Sequence, residues 1–107
     1  MTTLLLSMPK DKNFATGLHQ PISSVFASSK RPDYVLSANE ISRITQGMTV
    51  IVFDRPSQQA EGFVAGVRPS GNTTRNGRPR YHVLIHDLKQ TAYTNPPKVN
   101  RCGVGIV

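Results

Sequence analysis

Apolar positions recur along this chain with two different periods. Residues 2–8 hold Leu4, Leu5 and Leu6 in a row, and Pro9 closes the run. Three consecutive leucines leave no polar face, so these residues predict a first strand in the middle of a sheet. Residues 10–20 are a polar connection. Pro21 suits a first helical position, and Ile22, Val25 and Phe26 at i, i+3 and i+4 predict a short helix with one apolar stripe. Residues 28–33 read as loop and residues 34–36 as a very short strand.

Ser37-Ala38-Asn39-Glu40 fits a capping box, in which the Ser37 oxygen accepts from the third helical N–H and Glu40 reaches back. Ile41 and Ile44 then face the core, and Gly47 is expected to supply the left-handed position that stops this second helix. Residues 48–54 are β-prone and apolar on both faces, as in a closed barrel or a covered sheet. Residues 55–59 form a turn around Pro56. In residues 60–68 one face carries Phe63, Ala65 and Val67, and the other Gly62, Val64 and Gly66. Phe53 and Phe63 both read as core, and the paired glycines predict a barrel-type bend or a close approach of backbone. Residues 69–79 read as a long hairpin loop turning at Asn76-Gly77. Beyond it, Tyr81, Val83 and Ile85 share one side of a strand, with His82, Leu84 and His86 on the other. Residues 93–98 contain Pro96-Pro97 and are irregular, and residues 104–107 predict a closing strand beside the first. The pattern describes one β-rich α+β domain over residues 1–107: a strongly bent sheet or pseudo-barrel of five or six strands with two short helices.

Composition agrees. A chain of 107 residues with 37% apolar content supports one modest core, and eight glycines with eight prolines favour short strands over a helical bundle. Thirteen Lys and Arg against six Asp and Glu leave a formal charge of +7, a field that draws in phosphates and anionic surfaces. The single cysteine, Cys102, forms no internal disulfide, which points to a reducing cytoplasm. The leucine run is too short for a membrane span and lacks the preceding basic residues of a signal peptide. The sequon at Asn72 is accordingly expected to stay unmodified.

The densest candidate chemistry lies in residues 68–80, where Arg68, Arg75, Arg78 and Arg80 stand with no acid between Asp54 and Asp87 except Glu61. A guanidinium grips phosphate through a planar, bidentate fork, and a Gly/Asn-rich loop moulds itself to a nucleic-acid backbone. The bland alternative is a solvated hairpin. Lys30 and Arg31 form a second basic spot. Tyr81 is the leading candidate to stack a base, with Tyr93 open to either role. His82 and His86 have the spacing of metal ligands on a helix, but on a strand they share a face without a third ligand, so no metal site is expected. Cys102 beside Arg101 has no nearby base to make it a nucleophile. With no phosphate-binding Gly-Lys-Ser loop, paired catalytic carboxylates or serine elbow, an enzyme is not the expected reading and no cofactor is called for.

The order of elements resembles a family. Leu4-Leu5-Leu6-Ser7-Met8-Pro9, a helical region, a short helix, Gly47, the strand Thr49-Val50-Ile51-Val52-Phe53 and then Gly62-Phe63-Val64-Ala65-Gly66-Val67 are similar to the PUA-like barrel superfamily in its EVE and ASCH branches. The similarity runs over residues 1–87 as an order of elements and over residues 44–67 in residue detail. Met48 stands where the family has an aspartate, and the chain has no tryptophan. The resemblance implies a pseudo-barrel that binds RNA or DNA, sometimes reading a modified base, and carries over no pocket residue. The expected function is thus a non-catalytic nucleic-acid-binding module. Arg68, Arg75, Arg78 and Arg80 would hold phosphates, assisted by Lys30 and Arg31. The alternative is a small interaction protein, such as a phage or mobile element encodes, that docks its basic loop on an acidic partner surface.

Overall fold

A computed structural model describes residues 2–8, 22–27, 31–54, 58–92, 99 and 103–107. Six strands and two short helices follow in the order β1 (Thr3–Ser7), α1 (Ile22–Ala27), β2 (Tyr34–Val35), α2 (Ala38–Arg43), β3 (Thr49–Asp54), β4 (Gln58–Thr73), β5 (Pro79–Thr91) and β6 (Val104–Ile106). The strands make one nearly closed, barrel-like sheet in the order β2-β5-β4-β3-β1-β6. This is the expected β-rich α+β pseudo-barrel.

The leucine run lies inside the sheet, as its missing polar face requires. β1 pairs parallel with β3, Leu5 opposite Ile51, and antiparallel with the closing strand β6, Leu5 opposite Gly105. Leu4, Leu6, Val50, Val52, Ala60, Val64, Val83 and Val104 form one buried cluster, completed by Ile22, Val25 and Phe26 of α1. Leu5 and Phe53 are also buried, on the opposite face of their strands by the period-2 alternation, so β1 and β3 are covered on both sides. Tyr34, on the edge strand β2, is buried in the same cluster, and its hydroxyl donates to the Ser7 carbonyl at 3.1 Å. Burial, and then the nearby Asp33 charge, push that hydroxyl above its usual titration range, so it stays a donor. The bond ties an edge strand to the end of β1 across the mouth of the sheet.

The capping box at Ser37 is complete: Ser37 Oγ accepts from the Glu40 amide at 3.1 Å, and Glu40 Oε1 from the Ser37 amide at 2.9 Å. Gly47 does not stop the helix. Ile44 has already left helical geometry, at φ −86° and ψ 114°, and the helix ends there. Gly47, at φ +87°, instead turns the chain into β3, with the Met48 amide donating to the Thr45 carbonyl and the Gly47 amide to Val64 of β4. Among the described residues, no helix is long and apolar enough to cross a membrane.

Candidate nucleic-acid interface

β4 and β5 form the longest ladder in the sheet, and this changes the expected shape of the basic segment. The pairing reaches Thr73 opposite Pro79, so residues 69–73, expected in a loop, are strand. Only residues 74–78 turn. The Gly77 amide donates to the Thr74 carbonyl, the Thr74 amide donates to the Arg78 carbonyl, and Gly77 sits at φ +80°. That pattern matches a short turn followed by a left-handed glycine, a common hairpin closure, and it confirms the Asn76-Gly77 signal. Arg75 and Arg78 therefore flank the tip of a two-stranded β-arm, and both are exposed.

Three irregularities set which way side chains point along the arm. Between Glu61 and Phe63 on β4, the partner β5 runs from Lys89 to His86 and carries one extra residue. Asp87 takes a left-handed conformation there, φ 55°, which lets both Ile85 and Leu88 pack on the core. Ala65 is the extra residue on β4, and further extra residues lie between Pro69 and Thr73. Ala65 shifts the alternation, so that Val64 and Val67 both face the core while Phe63 and Ala65 face outward. Phe63, expected in the core, is 41% exposed. Its ring lies 5.7 Å from that of its cross-strand partner His86, at an interplanar angle of 32°.

Arg68 is exposed opposite His82 on the outer face. Arg80, two residues from His82, shares that face and is held by Asp33: Nε donates to Oδ1 at 2.8 Å, while Asn72 Nδ2 donates to Oδ2 at 2.8 Å. Ser70 Oγ donates to the Arg80 carbonyl, and Pro32 O lies 3.3 Å from His82 Nδ1. Residues 32–33 thus pack on the outer face of β5, and Arg31 before them is half-buried. The basic loop was expected to lack local neutralisation; Asp33, contributed through the β2–β5 pairing, supplies it for Arg80. Among the described residues, no carboxylate pairs with Arg68, Arg75 or Arg78. Tyr81 lies opposite Pro69 and Tyr34 and packs, half-buried, against the core cluster. Lys30, Tyr93 and Cys102 lie outside the described residues. His82 and His86 share the outer face as expected, and among the described residues no three potential metal ligands come together.

Burial alone would raise the Asp33 pKa, but hydrogen bonds from Asn72 and Arg80, and the Arg80 charge, outweigh it and hold the carboxyl below its usual range. A carboxyl with a lowered folded pKa stabilises the fold above the unfolded value, and that stability is lost as pH falls through the folded one. Asp33→Asn should therefore cost about 1 kcal/mol at pH 7, a partly exposed pair being worth no more. The gap between the melting temperatures of the wild type and the variant should close as pH drops below about 4, followed by circular dichroism.

No family model, curated protein or solved structure matches this chain.

Proposed function

We propose that this protein is a non-catalytic RNA- or DNA-binding module that holds the phosphate backbone along its β4–β5 arm. The observation that carries the reading is the trio Arg68, Arg75 and Arg78, exposed on one projecting arm with no carboxylate pairing them among the described residues. Arginine forks on a β-arm suit a linear polyanion, because successive phosphates meet successive guanidinium groups. Arg80, engaged by Asp33, shapes the arm and adds charge without being free to clamp. Lys30 and Arg31, the second basic spot of the sequence, assist in this proposal, Arg31 being half-buried beside residues 32–33. The PUA-like resemblance and a reducing, cytoplasmic setting belong to the same proposal, supported by the barrel-like sheet with two short helices and by the single cysteine.

Fluorescence anisotropy with labelled single-stranded and duplex oligonucleotides tests the reading. Three phosphate contacts imply a slope of about −2 to −3 for log affinity against log salt, or a loss of roughly 16- to 64-fold between 50 and 200 mM. Absence of binding at 50 mM, together with a stoichiometric protein partner surviving nuclease treatment, would instead favour docking on an acidic protein surface.

A further inference from the structure

The β5 bulge does more than redirect the strand. It opens a cleft of about 470 Å³ on the arm, lined by Glu61, Gly62, Phe63, Asp87, Lys89 and Thr91. Among the described residues Phe63 and Val107 are the exposed large hydrophobic side chains, and Phe63 forms an aromatic wall of this cleft. His86 backs its ring. Glu61 and Lys89 are cross-strand partners of opposite charge, the arrangement in which an ion pair is expected, yet among the described residues neither takes part in one. Asp87 reaches the cleft from a left-handed backbone position that few non-glycine residues occupy. An apolar wall with a few converging polar groups has the make-up of a small-ligand site.

Building on the nucleic-acid reading above, we propose that this cleft receives one unpaired guanine of a bound single strand. Phe63 would stack the base, since every base offers a π-face and an exposed aromatic beside cations is what stacking platforms share. The Glu61 carboxylate selects among bases, since Asp87 Oδ2 already lies 2.9 Å from His86 Nδ1. Guanine's pairing edge carries an imino N–H and an amino group side by side, donors that a carboxylate accepts together; thymine offers one donor between two acceptors. Adenine and cytosine present one amino group next to an acceptor nitrogen, which a carboxylate repels. Lys89 is placed to offset the two acids and to meet an adjoining phosphate. Arg68, Arg75 and Arg78 supply the sequence-independent hold, and the cleft supplies base preference.

The test uses the full chain and two labelled single strands, an all-thymine 12-mer and the same 12-mer with one central guanine, with an inosine-substituted strand as a third probe. The guanine strand should bind about tenfold more tightly than the thymine strand, and inosine, lacking the amino group, should fall between them. Glu61→Gln and Phe63→Ala, both changes at exposed positions, should each reduce that preference to within about twofold of unity. Equal affinity for the three strands on the wild-type protein, or a preference that survives Phe63→Ala, would overturn the guanine cleft while leaving the arginine arm standing. Failure of every strand to bind at 50 mM salt would remove the arm and the cleft together.

Discussion

Gly62→Val should destabilise the domain by about 3 kcal/mol, at the upper end of what overpacking usually costs. A Cβ at position 62 would come within 2.9 Å of the His86 carbonyl oxygen and of Ile85 Cγ2, and within 3.0 Å of Leu88 Cα. Two of these three obstacles are backbone, so a rotamer change cannot relieve them. The residue is glycine for space and not for dihedral freedom, since it is not among the glycines at positive φ. The only relief is to move β5 away from β4 at the bulge, which breaks the packing of Ile85 and Leu88 on the core. For a chain of this size the loss corresponds to a fall in melting temperature on the order of 15 °C. Gly66→Val is the control: a Cβ there meets nothing within 4 Å, so a small change is expected. Thermal melts followed by circular dichroism distinguish the two, and a Gly62 variant as stable as the Gly66 variant would mean that the bulge does not close on β4.

The second large effect concerns binding. Arg68→Ala/Arg75→Ala/Arg78→Ala should weaken nucleic-acid affinity on the order of 100-fold at low salt, at about 1 kcal/mol for each charge-assisted contact removed. The loss should be similar on every base sequence, because phosphate contacts carry no sequence information. All three side chains are exposed and unpaired with carboxylates among the described residues, so the melting temperature should stay within a few degrees of wild type. Arg80→Ala behaves differently. It leaves the Asp33 carboxylate with Asn72 but without its cation and loosens the β2–β5 contact, so it should lower stability as well as affinity, which is why it is left out of the triple variant.

Features set by local physics were legible in the sequence. Leu4-Leu5-Leu6 announced a strand covered on both sides, Ser37 and Glu40 announced their reciprocal cap, and Asn76-Gly77 marked the hairpin turn. What escaped depends on the partner strand. Whether Phe63 points in or out follows from the alternation that Gly62 and Val64 set, and Val67 then returns to the core only because Ala65 is an extra residue against β5. Strict alternation from residue 60 grouped Phe63 with Val67, although the bulge separates them. The cleft beside Phe63 was invisible for the same reason, because the left-handed turn at Asp87 that opens it comes from long-range pairing. The Asp33–Arg80 bridge joins residues 47 apart in sequence, and no local pattern marks it. One clue was available: Gly62 and Gly66 lie in the strand where two of the three irregularities occur.

Arg68, Arg75 and Arg78, which no carboxylate pairs among the described residues, are the proposed phosphate contacts. The most direct check is the salt dependence of oligonucleotide affinity for the wild type and for the triple arginine variant, measured side by side. The account predicts a wild-type slope of about −2 to −3 that shrinks by about two units or more in the variant. Equal slopes for the two proteins would contradict it, because cations elsewhere on the protein would then be neutralising the phosphates.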